Sequence, residues 1–472
     1  MAPVPFAHKA GSAVTSGTDQ AQKLTGRIIG LIAVVMAAVI LYLPSPIFPI
    51  LSDNETYQAL GWERRGEGSW NDLIGWLRGI LRGFNRTLLD PSFIRPFFVA
   101  SACTIAILTT TPWATKTPTS RLMAWLFNLF LVGLLAIAIW VLARKLSLGS
   151  DALFIPKTID IIAAMCGVVV IVELVRRLAG WMMFILIIFA VLYMKWGDPT
   201  GLFYETASKT WDLLALNFWL ETTGAMGFAL SIMIQNVVIF ILFGVIIQAT
   251  GAADAILKIA LVATRRLRGG PAHAAIVSSA MFGTFSGSAA ANVVGTGTFT
   301  IPLIKSRGFS PRFAGGIEAA ASTGGQITPP VMGAAAFYLA EQAQVPYNQV
   351  AVAVLLPALF YFASLFTAVE FQARKMDIRP AASEEIPRLE RADWIKSLSF
   401  VAPLAAIIYC LAAGYSVNRA GFWAICMTIL FGLLNPEFRA NPGRLVEKLK
   451  QGGIAVSHLL AIVAGLGVFI GV

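Results

Sequence analysis

Apolar residues in this chain occur in long runs, and short charged stretches separate them. The runs do not alternate between polar and apolar positions, so they indicate helices rather than the strands of an outer-membrane barrel. Most have the length that a helix needs to cross a bilayer. They lie at 28–51, 97–113, 122–143, 159–175, 178–196, 226–249, 252–263, 350–368, 394–413 and 422–434, and from 454 onward.

Composition supports the same fold class. Of the 472 residues, 57% are hydrophobic and 13% are charged, whereas a soluble chain is about 25% charged. We therefore predict an all-α polytopic membrane protein. The net charge of +11 comes from Lys and Arg clustered at the ends of apolar runs, as membrane topology and lipid headgroups require. It indicates membrane lipid, not nucleic acid, as the partner.

Two stretches outside the runs carry structural expectations. The polar tail 1–26 precedes a first span that we interpret as retained, not as a signal peptide. Apolar positions recur at helical spacing within 52–95, with basic residues on another face. This pattern fits either a helix in the membrane interface or one packed on protein. In the more polar stretch 197–223 we expect aromatic residues at the interface, namely Trp211, Phe218 and Trp219.

The segment 271–304 contains no Lys, Arg, Asp or Glu, although basic residues flank both ends. If those residues mark the cytoplasmic side, the chain enters and leaves on one side. The segment is too short for two full spans, but two half-membrane helices of about 12 residues, each about 18 Å long, fit. We predict a re-entrant hairpin whose turn, 286–292, lies near mid-membrane. Two short ordinary spans packed through Ser286 and Ala290 are the alternative.

A second irregularity is the sequence ASTGGQITPP, which ends at Pro330. Two prolines deprive a helix of backbone donors, and the two glycines before them weaken the same turn. The pattern predicts that one helix ends near Gly325 and another begins near Pro330, with Thr328 as its N-cap. A simple proline kink is the alternative.

The polar atoms of these segments suit ions. A half-helix C-terminus offers carbonyl oxygens to a cation, and a half-helix N-terminus offers N–H groups to a carboxylate. Ser286, Ser288 and Asn292 add neutral oxygen donors, which match Na⁺ better than a transition metal. The hairpin contains no acid, and neither does 319–340. We interpret the nearby Glu318 first as an interhelical partner and second as a functional acid.

These segments also resemble a known family. The sequences FGTFSGSAAANVVGTGTFTIP, ending at Pro302, and ASTGGQITPPVMGAAAF, ending at Phe337, are similar to the permease of tripartite ATP-independent periplasmic (TRAP) transporters. The fused permease of the TAXI subclass, whose small and large membrane subunits form one chain, is the most similar type. The resemblance is specific over 149–377, and nearer the N-terminus it covers mainly the layout.

The resemblance implies a fold and a function. The fold is an elevator-type secondary transporter with two inverted repeats, each holding a re-entrant hairpin and a broken helix. The activity is Na⁺-coupled symport of small organic acids, such as dicarboxylates, from a TAXI-type periplasmic binding protein across the bacterial inner membrane. No other cofactor is expected. The implied divisions are the tail 1–26, a small-subunit-like region 27–222, a first repeat 223–377 and an incomplete remainder 378–472.

The resemblance also assigns site residues by position. The Na⁺ ligands would be Ser286, Ser288, Asn292, Gly324, Gly325 and Gln326. The substrate would lie beside Ser286, Gly287, Asn292, Thr328, Pro329 and Pro330.

One departure and two competing functions complete the sequence-based picture. No second hairpin or broken helix follows residue 377, so we expect the chain to be either the N-terminal portion of a longer transporter or a truncated gene product. An ion channel also uses re-entrant loops, and an intramembrane hydrolase would need a nucleophile with a base. Neither G-x-S-x-G nor H-E-x-x-H occurs in the chain. We therefore expect a transporter rather than an enzyme.

Overall fold

The computed structural model describes residues 15–42, 91–111, 118–147, 156–196, 209–219, 224–380, 388–441 and 443–470. Every regular element in these ranges is a helix, which confirms the all-α prediction. The helices are α1 Thr15–Tyr42, α2 Pro91–Thr109, α3 Pro118–Ser147, α4 Thr158–Leu178, α5 Trp181–Trp196, α6 Trp211–Trp219, α7 Phe228–Ala249, α8 Ala252–Ala263, α9 Gly270–Ser286, α10 Ala289–Ser306, α11 Pro311–Gly324, α12 Ala334–Gln342, α13 Tyr347–Lys375, α14 Arg391–Ala412, α15 Val417–Gly432, α16 Pro436–Ala440 and α17 Gly443–Ile470.

Within the described ranges, six helices are long and apolar enough to cross a bilayer: α3, α4, α7, α13, α14 and α17. Helix α1 starts at Thr15, 13 residues before the predicted span at 28–51, and thus includes the second half of the polar tail. The predicted amphipathic helix within 52–95 falls mostly outside the described residues.

The N-terminal helices pack on α17 through small side chains. Gly453 of α17 faces Ala33 of α1, and Gly467 lies against the backbone at Gly224. Gly465 similarly receives the side chain of Val175 from α4. Small residues allow helix backbones to approach closely in a membrane, where close packing is a main attraction between helices. Helix α17 therefore joins the N-terminal region to the rest of the protein.

Two of the three aromatic residues expected at the interface lie inside the protein instead. Phe218 and Trp219 are 1% and 0% exposed. The indole Nε1 of Trp219 donates a hydrogen bond to the carbonyl of Ala138 (3.0 Å), and the ring lies over Gly167, where an added Cβ would come within 2.5 Å. Gly167 thus leaves the space in which Trp219 is buried. Trp211 is exposed, and its place at the membrane interface stays a prediction.

Helices α9, α10, α11 and α13 form the half of the fold that carries the polar segments. Their ends share a separate apolar cluster, in which Ile276, Ile304, Phe309, Ala314 and Val369 are buried. This cluster holds the open end of the α9–α10 pair against α11 and α13. The opposite end, where α9 turns into α10, reaches the helix break after α11.

Candidate functional site

Helices α9 and α10 are antiparallel and joined by a turn tighter than predicted, and the re-entrant position of this hairpin stays a prediction. Gly287 adopts a left-handed conformation (φ 58°) that ends α9, and the Ser288 hydroxyl accepts the N–H of Ala291 (3.3 Å) to begin α10. The turn is therefore two residues long rather than 286–292. With 17 and 18 residues, the helices are about 25 and 27 Å long, not about 18 Å. Asn292 consequently lies inside α10 instead of at the tip.

The break after α11 is a full interruption of the helix, so the kink alternative is wrong. A short 3₁₀ turn, Gly325–Ile327, follows α11, and α12 begins only at Ala334. The N–H of Gly333 donates to the carbonyl of Gln326 (2.6 Å), which closes the intervening segment into a loop. The second helix thus starts later than the predicted Pro330.

Thr328 does not cap that second helix. Its hydroxyl donates to the carbonyl of Gly324 (2.8 Å), and its N–H donates to Gly325 (3.2 Å). Both bonds satisfy acceptors at the end of the first half-helix. Gly333 occupies the N-cap position of α12. Thr328 therefore satisfies carbonyls at the end of α11, and the N-cap role predicted for it belongs to Gly333.

The hairpin and the break interlock through their backbones. A Cβ on Gly283 would overlap the Cα of Gly325, and a Cβ on Gly287 would overlap the carbonyl of Met332. The N–H of Val331 donates to the carbonyl of Thr284 (3.2 Å). Gly325, one of the two glycines predicted to weaken the helix, therefore has a second role, because only residues without side chains permit this approach.

A cavity of about 450 Å³ opens between the tip and the break. Its polar lining comes from Ser286, Gly287, Ser288 and Gln326, and apolar side chains such as Phe240 form most of the wall. No Lys, Arg, His, Asp or Glu is among the described residues that line it. Any charge on a ligand here must be met by hydroxyls, backbone groups and helix termini.

Three helix termini meet at this cavity. Helix α9 ends at Ser286, α10 begins after Ser288, and α12 begins after Gly333. The end of α9 carries partial negative charge, and the two N-termini carry partial positive charge. The arrangement therefore offers separate favourable positions to a cation and to an anion.

The predicted ion ligands divide into two groups. Ser286 and Ser288 line the cavity with the exposed Gln326. The Ser286 side chain is buried and its hydroxyl has no hydrogen-bond partner, so its oxygen is free for a ligand. Asn292, Gly324 and Gly325 are buried behind the lining.

Asn292 is held in place from two sides. Its Nδ2 donates to the carbonyl of Ser279 (2.8 Å), and that same nitrogen lies 3.0 Å from the position of a Cβ on Gly325. The amide orientation is therefore set by α9 and the break together. Of the predicted substrate contacts, Ser286 and Gly287 line the cavity, whereas Asn292, Thr328, Pro329 and Pro330 do not. The site assignments stay predictions.

Glu318 is the centre of a polar cluster that the sequence analysis missed. The residue is 0% exposed. Four hydroxyls lie within hydrogen-bonding distance of its carboxylate: those of Ser279 on α9, Thr296 and Thr300 on α10, and Ser322 on α11. This confirms Glu318 as an interhelical partner. The four-residue spacing of Thr296 with Thr300 and of Glu318 with Ser322 is the signal that could have revealed the cluster.

The hydrolase alternative lacks its catalytic pair. Ser286 and His273 both lie on α9, separated by 13 residues, or about 20 Å along the helix. The hydroxyl of Ser286 and both ring nitrogens of His273 have no hydrogen-bond partner. In the described part of the chain, moreover, no group of three or more His, Cys, Asp or Glu side chains could hold a metal ion.

Comparison with known proteins identifies the family. The family model described as "Tripartite ATP-independent periplasmic transporter, DctM component" matches residues 166–472. The chain is 34% identical over 109 residues to the protein YgiK of Salmonella typhimurium, 30% over 228 residues to y4mL of Sinorhizobium fredii, and 36% over 91 residues to the C4-dicarboxylate TRAP transporter large permease protein DctM of Vibrio cholerae.

These matches cover 23%, 48% and 19% of this chain and 24%, 54% and 20% of the relatives, so the chain aligns with about half of a relative's length at most. The family model spans the hairpin, the break and every helix from α7 to α17. It is a transporter family, which confirms that the chain is a multi-pass inner-membrane protein and not an enzyme. The chain therefore belongs to the DctM component family of tripartite ATP-independent periplasmic transporters.

Proposed function

We propose that this chain is the permease of a Na⁺-coupled secondary transporter that imports small organic acids. C4-dicarboxylates, named for the Vibrio relative, are the first substrates to test. The observation that carries the proposal is the interlocked hairpin tip and helix break beside a cavity. Paired half-helices with their ends directed at one site are the arrangement by which secondary transporters hold ions and substrates.

The cation would bind at the Ser286 side of the cavity. A buried hydroxyl without a partner is costly, and a bound Na⁺ would repay that cost by taking the oxygen as a ligand. The carbonyls of Gly324 and Gly325 accept hydrogen bonds from Thr328, and that of Gln326 accepts one from Gly333. The carbonyl oxygens of this break would be further ligands. Hard, neutral oxygens of this kind suit Na⁺.

The carboxylate of the substrate would bind where α10 and α12 begin. The N–H groups in the first turn of a helix lack intrahelical partners and favour an anion. Because the described lining has no basic side chain, these N-termini and the bound Na⁺ would supply the positive charge. Substrate and Na⁺ would then bind cooperatively, which is the basis of symport.

The interlock also supports an elevator movement. Backbone contact between Gly283 and Gly325, together with the buried cluster at the base of the hairpin, joins α9, α10 and α11 into one unit. Such a unit would carry the site across the membrane against a fixed remainder. The predicted small-subunit-like region is 27–222, and the family match begins within it at 166. We assign the helices that precede the match, α1 to α3, to a fused small subunit of TAXI type, with a TAXI-type periplasmic binding protein as the partner.

The test is uptake by the complete transporter in proteoliposomes. Labelled C4-dicarboxylate, delivered by the cognate binding protein, should accumulate when an inward Na⁺ gradient is imposed. Replacement of Na⁺ by K⁺, or omission of the binding protein, should reduce uptake to the level of empty vesicles. Uptake that is equal with K⁺ would contradict Na⁺ coupling. Flux that needs no binding protein and does not saturate would favour the channel.

A further inference from the structure

We propose that Glu318 supplies the negative charge that stabilises the cation at the hairpin tip, acting through Asn292 as a positioning residue. The inference rests on the proposed function, in which Na⁺ binds beside Ser286, and it adds the amide oxygen of Asn292 as a ligand from behind the cavity lining. It assigns to the cluster of Glu318, Ser279, Thr296, Thr300 and Ser322 a role in ion affinity, beyond its role in holding helices together.

Four hydroxyls from three helices surround the carboxylate of Glu318. The Oε1 atom lies 3.1 Å from Ser279, 2.5 Å from Thr296 and 3.3 Å from Ser322, and Oε2 lies 2.5 Å from Thr300. Each hydroxyl has a single hydrogen to donate, and an ionised carboxylate accepts from all four. The hydroxyls of Thr296 and Thr300 also lie near backbone carbonyls, those of Asn292 (2.9 Å) and Thr296 (3.1 Å), but both are closer to the carboxylate. Hydroxyl donors placed in this way favour a carboxylate anion.

No basic side chain neutralises this charge. Glu318 forms no ion pair and makes no hydrogen bond with any described Lys, Arg or His, and its recorded partners are the four hydroxyls. The charged and titratable side chains that the packed helices contribute lie elsewhere along them: His273 on α9, Lys305 on α10, Arg312 on α11, and Tyr347, Tyr361, Glu370, Arg374 and Lys375 on α13. A buried charge without a counter-ion destabilises the protein, and a cation bound nearby would reduce that destabilisation.

Thr296 connects the cluster to the tip. Its hydroxyl lies 2.5 Å from Glu318 Oε1, 2.9 Å from the backbone carbonyl of Asn292 and 3.5 Å from Asn292 Oδ1. Because it has one hydrogen and the carboxylate is the nearest acceptor, donation to Glu318 leaves Asn292 Oδ1 without that donor. Asn292 Nδ2 is held by Ser279, which also donates to Glu318. The charge on Glu318 thus keeps the amide oxygen of Asn292 available to a cation.

The test compares the Na⁺ dependence of uptake among variants of the complete transporter. Glu318→Gln keeps the size of the side chain but removes the charge, so the Na⁺ concentration for half-maximal uptake should rise about tenfold or more, with maximal uptake largely retained at saturating Na⁺. Thr300→Val removes one hydroxyl and leaves the charge, so it should lower the melting temperature and change the half-saturating Na⁺ concentration less than Glu318→Gln does. Glu318→Asp should restore most of the Na⁺ affinity.

Glu341→Gln is the matched control, because Glu341 is an exposed acid on α12, and its Na⁺ dependence should equal that of the wild type. If Glu318→Gln and Thr300→Val lower stability alike and leave the half-saturating Na⁺ concentration unchanged, the cluster is only structural and the inference fails. If Glu318→Gln does not fold, Glu318→Asp must still shift the Na⁺ dependence without loss of maximal uptake, or the inference fails. Wild-type uptake without Na⁺ dependence would instead contradict the proposed function.

Discussion

Gly283 and Gly325 are in backbone contact, with a Cβ on Gly325 falling 2.7 Å from the Cα of Gly283. This contact joins the first helix of the hairpin to the broken helix, although 41 residues separate the two glycines in the sequence. The geometry of the cavity depends on it, because the hairpin tip lies one turn beyond Gly283 and the loop of the break follows Gly325. Predictions about the site therefore begin with this pair.

Replacement of Gly283 by Ala should separate the hairpin from the break. The added methyl would overlap the backbone of Gly325, and overpacking of this kind costs about 1–3 kcal/mol. We expect a lower melting temperature in detergent and loss of most substrate uptake. Gly316→Ala is the control, because Gly316 lies on α11 with no atom within 4 Å of the added Cβ. That change should leave stability equal or higher, by up to about 1 kcal/mol. Equal behaviour of the two variants would contradict the interlock.

Replacement of Ser286 by Ala should reduce uptake without reducing the stability of the protein. The hydroxyl of Ser286 has no partner, so its removal should leave the melting temperature unchanged or raise it, since a buried unsatisfied group costs about 1–3 kcal/mol. Na⁺-dependent uptake should fall because a cation ligand is lost. Ser399→Ala is the matched control, since the Ser399 hydroxyl on α14 is also buried and unpartnered. It should have the same effect on stability and no effect on uptake.

The hairpin and the break could be predicted because strong local signals mark them. A segment of 34 residues without charge between basic flanks, and two glycines followed by two prolines, restrict the backbone regardless of the tertiary fold. The residue at which each helix ends could not be predicted from these signals. The left-handed Gly287 and the cap by Ser288 shortened the turn to two residues, and the loop that Gly333 closes on Gln326 delayed the second helix.

Tertiary contacts account for the features that the sequence analysis missed. Tryptophan is a residue type typical of the membrane interface, so nothing in the sequence indicates that Trp219 is buried. Its burial depends on the space left by Gly167 on another helix. Likewise, Ser279, Thr296 and Ser322 are individually ordinary small residues of membrane helices. They become a cluster only when three helices bring their hydroxyls to Glu318, and single-helix periodicity contains no information on which helices will meet.

Replacement of Asn292 by Ala should raise the Na⁺ concentration needed for half-maximal uptake. The change removes an amide oxygen near the tip, and loss of one ligand among several would cost about 1–3 kcal/mol of ion binding. It also removes the hydrogen bond to Ser279, so stability should fall as well. Asn435→Ala separates the two effects, because Asn435 is buried and donates a similar bond to Thr250 (2.9 Å). For Asn435→Ala we expect similar destabilisation and unchanged Na⁺ dependence. If both variants shift the half-saturating Na⁺ concentration, Asn292 is not a ligand of the ion.

The two ends of the hairpin should face the same side of the membrane. Arg268 and Ser306 lie just outside α9 and at the end of α10, both are exposed, and the chain reverses direction between them at Gly287. In a background without the four native cysteines, Arg268→Cys and Ser306→Cys should each react with an impermeant thiol reagent from the cytoplasmic face only. Reaction from opposite faces would contradict the hairpin topology.

A third position distinguishes a re-entrant hairpin from two complete spans, which would label identically at their ends. Ala290 is exposed in the first turn of α10, about 25 Å along α9 from the basic flank, so helix length alone permits either arrangement across a hydrocarbon core of about 30 Å. If the tip lies inside the membrane beside the cavity, Ala290→Cys should react slowly, and Na⁺ with substrate should protect it. Fast reaction from the periplasm that neither ligand changes would show that the tip emerges into water, which would place the cavity at the membrane surface.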